Sequence, residues 1–343
     1  MFCIVLHHFA YHGSLNWAAT YNETFLKTDH VYLFLACLGK AAVVAFVMIG
    51  AWFLSEKKFK LWRVVQLCIT TLVYSWLIFL ILIWKFPSLI NFGSMNNIWW
   101  PIPIPSNYWF VIAYVYMLLF MPFMNLILNK LSRRQTIIII YVFGILWTVV
   151  QFIQTKKIDN DSYNFFNLNN YFLLIYLIAG YLRKYKPVWS IGFIKSFFIL
   201  TIIVGIIVLT ILSINKNNYV FFAGLMASLN NPISLILGIS MFLFFNNMRI
   251  GHNVVINYIS KSMFGVYLIH DNSFIRPIIW QKLVNTLPYA KSPIKYLQYG
   301  LSVSFTVFVI CIFIDILKRI IIDPIINFFA FRITKKFLKW SSQ

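Results

Sequence analysis

The sequence predicts an all-α fold, a polytopic integral membrane helix bundle of about ten transmembrane spans with both termini cytoplasmic. Three observations carry this. The chain is 61% hydrophobic and only 11% charged, against about 25% charged in ordinary soluble domains. Apolar runs of the length needed to cross a bilayer, about 20 residues, recur along nearly the whole chain. The basic residues gather in alternate short links between those runs, which is how a membrane protein marks its cytoplasmic face. A net charge of +21 could suggest a nucleic-acid partner. Set in short inter-span links it reads as membrane topology instead, and no nucleic acid is expected.

The first apolar run, residues 1–11, supplies little more than half of a crossing. It has neither the basic leader nor the small-residue cleavage site of a signal peptide. Met1 is therefore expected to lie inside a helix whose first half precedes the given chain. The second run, 31–54, is full length, and Lys57, Lys58, Lys60 and Arg63 follow it. The third covers 64–84. Lys130, Arg133 and Arg134 follow the fourth run, 107–129, and lead into the fifth, 136–154. Arg183, Lys184 and Lys186 follow the sixth, 169–183. Runs at 192–214 and 231–246 come next, then a short one at 256–270, with Arg249 and Lys261 flanking the link after the eighth run, and a last one at 298–320. The opposite loops are longer and carry half as many basic residues.

Residues 1–323 thus read as one membrane-embedded domain and 324–343 as a basic amphipathic cytoplasmic tail. There Arg332, Lys335, Lys336 and Lys339 stand among Phe328, Phe329, Phe331, Phe337 and Trp340. Such a segment is drawn to anionic membrane lipid at the inner surface, and no catalytic role is assigned to it. Cys3, Cys37, Cys68 and Cys311 all lie inside apolar runs without paired spacing. That argues against a disulfide framework or a zinc site, and no metal is expected.

The first run holds the most reactive chemistry. His7, His8 and His12 stand within six positions. Histidine titrates near neutrality and is the usual general base, and an ionisable residue in hydrocarbon is by default a candidate for function. Helix neighbours point about 100° apart, so His7 and His8 cannot share a face, and if one points into the bundle the other must point elsewhere. On the residues alone, a helix-end pair bonded to carbonyls or water fits as well as a catalytic pair.

Five segments, in order, resemble the membrane-bound acyltransferase type 3 family. I-V-L-H-H-F-A-Y-H-G (4–13) is similar to the family's first helix, where an arginine, ten residues and a histidine form the main signature; His8 falls at the histidine position. The arginine would lie upstream of Met1. G-K-A-A-V-V-A-F-V-M-I-G-A-W-F-L-S (39–55) resembles the second helix and E-K-K-F-K-L-W-R (56–63) the basic link after it. Val44, Gly50 and Ala51 stand where relatives usually carry an asparagine and then a serine-glycine pair. N-Y-W-F-V-I-A-Y-V-Y-M-L-L-F-M-P-F-M-N (107–125), Y-L-I-A-G-Y-L-R-K-Y (176–185) and I-S-K-S-M-F-G-V-Y-L-I-H-D-N (259–272) complete the series.

The resemblance implies an O-acyltransferase of the plasma membrane. Acetyl-CoA, or another acyl-CoA, would be the cytoplasmic donor, and a hydroxyl of a cell-surface or lipid-linked carbohydrate the acceptor. His8 would activate that hydroxyl or carry the acyl group itself. Lys57, Lys58, Lys60 and Arg63 would bind the CoA phosphates; plain positive-inside charge explains them equally well. Lys40 lies about ten residues into the second span, where a lysine costs about 2.5–3.5 kcal/mol on insertion scales. It should face the bundle or a wet cavity, there stabilising an anion or pairing with a carboxylate or carbonyl. His270 and Asp271 close the ninth span at its outer end and could orient acceptor hydroxyls. Tyr108, Trp109, Trp99 and Trp100 suit an interfacial aromatic belt, with a carbohydrate platform as the second reading. Asp315 precedes Lys318 and Arg319 at helical spacing, which suggests a local ion pair. His12, His30 and His252 read as loop residues.

Two other functions share this composition. A transporter or lipid-linked sugar flippase would be expected to show inverted repeats or paired broken helices, and neither is visible in the sequence. A polysaccharide polymerase would draw on outer-loop arginines, of which Arg276 is the single example.

Overall fold

The computed structural model of the chain describes residues 1–13, 26–89, 105–150, 161–214, 228–248 and 251–341. They form helices joined by short links, with no strand among them. The principal helices are α1 (Phe2–His12), α2 (Leu26–Leu54), α3 (Leu61–Lys85), α4 (Pro105–Lys130), α5 (Arg133–Gly144, prolonged by a π-helical turn to Val150), α6 (Asp161–Tyr185) and α7 (Ile191–Ile214). They continue with α8 (Pro232–Asn246), α9 (Val254–Ser260), α10 (Met263–His270), α11 (Pro293–Ile321) and α12 (Asp323–Ser341). Among the described residues, five helical segments are long and apolar enough to cross a membrane: Val31–Leu54, Leu61–Lys85, Tyr108–Lys130, Arg133–Val150 and Pro293–Ile321. Ile191–Ile207 and Pro232–Asn246 are apolar but shorter.

The second helix is the axis of the bundle. In its most apolar 18 residues 67% are buried, against 11% in Arg133–Val150, so α2 is wrapped by protein and α5 lies at the periphery. The helices α1, α6, α7, α8 and α11 all pack on α2. The outward faces of the peripheral helices are apolar, with Trp84, Tyr141, Phe193, Ile199, Phe305 and Phe313 exposed. In water that surface would drive aggregation; against lipid tails, which are as apolar as leucine, it is the stable arrangement.

Local signals explain several boundaries. Ser132 caps α5 by accepting from the Gln135 amide at 3.3 Å while its own amide donates to Gln135 Oε1 at 3.0 Å. This reciprocal pair satisfies two otherwise orphaned donors. Asn231 accepts from the Ile233 amide at 2.8 Å ahead of Pro232, which starts α8. At the far end of α2, Asn125 donates to the carbonyls of Leu54 and Lys57, at 3.3 and 3.2 Å. Arg183 lies 2.7 Å from Glu56 in the following link, and that hydrogen bond holds the Glu56 carboxyl below its usual range.

The structure corrects the sequence reading at the ninth run and at two of the histidines. The ninth run, expected as one span over 256–270, is broken at Lys261 and Ser262 into α9 and α10. Arg319 fills the break by donating to the Tyr258 carbonyl at 3.3 Å and the Ser262 hydroxyl at 3.0 Å. The local ion pair expected from Asp315 is made by Arg319 at 4.0 Å, while Lys318 pairs at 2.5 Å with Asp323. His12 is the last residue of α1 and His30 lies within α2, while His252 is in a link as expected. Trp99, Trp100 and Arg249 lie outside the described residues.

The terminal helix α12 packs along α3, where Gln66 donates to Asn327 at 2.5 Å. It buries Ile326 and Ala330 and exposes Phe328, Phe329 and Phe331.

Candidate active site

Helix α1 delivers the histidines. Every residue from Ile4 to Ala10 is buried, because α2 covers one side of the helix and α11 another. Gly39 in α2 permits the approach, since a Cβ there would collide with the Cβ of His7. Small residues at helix crossings in membranes serve this purpose. Of His7 and His8 only one was expected to face the bundle. Both do, because α1 has no free face over this stretch. His7 lies against α2 and stacks on Tyr11 with ring centroids 5.4 Å apart, while His8 turns toward the end of α10.

There His8 Nδ1 lies 3.6 Å from Asp271 Oδ1. That is longer than a hydrogen bond, and it brings an imidazole and a carboxylate together in burial. Asp271 is fixed from behind: Arg276 Nε is 2.9 Å from its Oδ1, and Arg276 Nη2 donates to its backbone carbonyl at 2.9 Å. The His270 ring stands 4.9 Å from that of His8. Its Nδ1 is 2.5 Å from the Val266 carbonyl. A carbonyl only accepts, so Nδ1 carries the proton and Nε2 keeps a lone pair. By the same logic, a proton on His8 Nδ1 directed at Asp271 leaves Nε2 as the basic nitrogen.

A small cavity of about 20 Å³ adjoins this cluster, with His7, His8, Lys40, Trp109, Tyr267 and Asp271 in its wall. That volume holds about one water molecule. Lys40 reaches it from α2, its ammonium 5.7 Å from the Trp109 ring and 5.8 Å from the Tyr11 ring. A larger apolar groove of about 310 Å³ runs between α2 and α8, past Ala45, Ile49, Trp52 and Phe245. Met1 and Phe46 belong to both walls.

The residues expected at the site thus separate into three groups. His8, Lys40, Trp109 and Asp271 meet at the small cavity, and His270 stands beside it. The Tyr108 hydroxyl instead accepts from Asn272 at 2.6 Å and donates to the Leu268 carbonyl at 2.9 Å, tying α4 to α10. Lys57, Lys58, Lys60 and Arg63 lie beyond the other end of α2, roughly 20 Å from Lys40 along the helix axis.

Sequence reasoning missed two members. Arg276 was counted only as an outer-side charge; the usable signal was that a buried aspartate needs a cation and Arg276 is the next one along the chain. His12 was placed in a loop although it follows His8 by four residues, the spacing that puts two side chains on one helix face. Their rings are 5.2 Å apart. Ligand atoms of His8, His12 and Asp271 lie within 4.8 Å of one another. The nearby cations of Arg276 and Lys40 disfavour a metal ion there and favour negative charge.

An all-helical chain with an apolar exterior, enclosing histidines beside a paired carboxylate, is a membrane protein with its reactive groups inside the bundle. Residues 1–316 match the family model for an acyltransferase domain, and the chain belongs to this acyltransferase 3 family. It is a membrane acyltransferase. No curated protein and no solved structure matches it.

Proposed function

We propose that this protein transfers an acetyl or related acyl group from cytoplasmic acyl-CoA to a hydroxyl of a cell-surface or lipid-linked carbohydrate, in the plasma membrane. The observation that carries the reading is the chain of contacts from His8 to Asp271 to Arg276 beside a buried cavity. It is the arrangement of a general base set beside a carboxylate that a third group holds.

His8 takes the proton of the acceptor hydroxyl as its oxygen attacks the thioester carbonyl carbon. The new C–O bond forms, the C–S bond breaks, and the proton passes from His8 to the departing thiolate. Asp271 stabilises the imidazolium formed in between, and Arg276 keeps the carboxylate in place. The groove between α2 and α8 offers the donor's acyl arm an apolar approach. Lys57, Lys58, Lys60 and Arg63 are exposed or half-buried and are suited to the CoA phosphates, leaving the thioester to reach inward. Trp109 offers a stacking face to a sugar. The family membership favours this reading over a flippase or polymerase.

Purified protein in lipid vesicles, given labelled acetyl-CoA and the cells' surface-glycan fraction, should release CoA and label the glycan. Surface glycans from cells lacking the gene should carry less acetyl ester. Intact acetyl-CoA together with unchanged glycan esters would overturn the proposal.

A further inference from the structure

Lys40 is the charge at the cavity that the base and its partners do not use. Asp271, the carboxylate in the cavity wall, is already committed to Arg276 at 2.9 Å. Among the described residues, the Lys40 ammonium has no carboxylate within 4.0 Å, and its close contacts are the faces of Tyr11 and Trp109. Ring faces stabilise a cation without supplying an acceptor for its protons. With the histidines neutral, the side chains of Asp271 and Arg276 cancel, and among the side chains at the cavity Lys40 leaves one positive charge. It is therefore built to receive negative charge.

The cavity is also small, about 20 Å³, which is room to lodge a water-sized group such as a single oxygen of a substrate entering beside it. Lys40 and His8 come from different helices to the same small wall, so an oxygen lodged there lies within reach of both.

We propose that Lys40 is a further catalytic residue, which stabilises the oxyanion of the tetrahedral intermediate. This rests on the acyl-transfer reading above. When the acceptor oxygen bonds to the thioester carbon, the C=O π pair moves onto the carbonyl oxygen, which becomes the anion facing the Lys40 ammonium. The acceptor proton is meanwhile on His8. Collapse restores the C=O bond, expels the thiolate and returns the proton from His8 to sulfur. Lys40 gains and loses no proton; it supplies charge that is worth most when water is excluded.

The test uses full-length protein in vesicles, with acetyl-CoA as donor and the surface-glycan fraction, separated into neutral and acidic portions, as acceptor. Lys40→Met should lower kcat roughly 10²–10³-fold, the usual effect of removing one oxyanion donor. The KM for donor and acceptor should change little, and both acceptor portions should be affected alike. Lys40→Gln keeps an N–H donor without the charge and should fall between Met and wild type; it carries the same prediction if the methionine variant does not insert. A rise in KM confined to the acidic portion, with kcat unchanged, would make Lys40 a binder of an anionic substrate and overturn the proposal. So would wild-type kcat in both variants, with the acyl-transfer reading left standing. Failure of the wild-type protein to consume acetyl-CoA would defeat both together.

Discussion

His8 Nδ1 and Asp271 Oδ1 lie 3.6 Å apart, although they come from the first helix and from the end of α10. The contact is made between two buried groups, with His8 8% and Asp271 2% exposed. Neither α1 nor α10 is long enough to cross a bilayer, so the pair depends on α2 and α11 to hold both in place.

This geometry predicts distinct results for three substitutions. His8→Ala should lower acyl transfer roughly 10²–10⁴-fold, the typical contribution of a general base, while the protein still inserts. Asp271→Asn should also lower turnover strongly, because an amide does not stabilise the imidazolium. His12→Ala should be mild, since its ring stacks edgewise on His8 without a contact to Asp271 stronger than proximity. Turnover of labelled acetyl-CoA checks all three, and equal losses in His8→Ala and His12→Ala would remove His8 from its role.

Arg276 should matter for stability as well as activity. Its guanidinium holds Asp271 at two points, carboxylate and carbonyl, which a lysine ammonium cannot reproduce in that planar geometry. Arg276→Ala leaves a buried carboxylate unpaired, a change that typically costs about 3–5 kcal/mol. Arg276→Lys should recover part of that stability but little of the turnover. Thermal unfolding in detergent, measured beside turnover, separates the two effects.

How much of this was legible in the sequence follows from what each feature depends on. The helices were legible because lipid demands long apolar runs whatever the packing, and His8 stood out because an ionisable residue in such a run needs a reason. Asp271 was visible as a pair with His270, yet its contact with His8 was not, since it spans the chain. The break at Lys261 and Ser262 was hidden because Arg319, which stabilises it, lies far along the sequence. The inward setting of both His7 and His8 depends on how closely α1 meets α2 at Gly39, a question of packing that periodicity does not address.

Orientation is open to direct measurement. The basic links after α2, α4 and α6 should all be cytoplasmic by the positive-inside rule. Single cysteines introduced at Lys58, Arg133 and Lys184 should resist an impermeant reagent in intact cells, and one at Lys282 should react. Reaction at Lys58 from outside would reverse the orientation and the proposed side of CoA entry.

The last prediction concerns the far end of α10, where a second buried carboxylate seats the helix that carries His270 and Asp271. Asp315 in α11 is 3% exposed and accepts from the Tyr74 hydroxyl of α3 at 2.5 Å. Gly265 in α10 lies so close that a Cβ there would run into the Asp315 carboxylate. At eight residues, α10 is about 12 Å long, so a shift at Gly265 is carried to Asp271. Tyr74→Phe removes a hydrogen bond to a charged group, worth about 1.5–3 kcal/mol, and should lower the unfolding temperature with a several-fold loss of turnover. Gly265→Ala overpacks the same contact, at a typical cost of about 1–3 kcal/mol. It should lose more turnover than Tyr74→Phe, because it displaces α10 itself as well as weakening its support. Wild-type turnover in a Gly265→Ala protein of lowered stability would mean that α10 gives way locally, and that Asp271 is positioned by Arg276 alone.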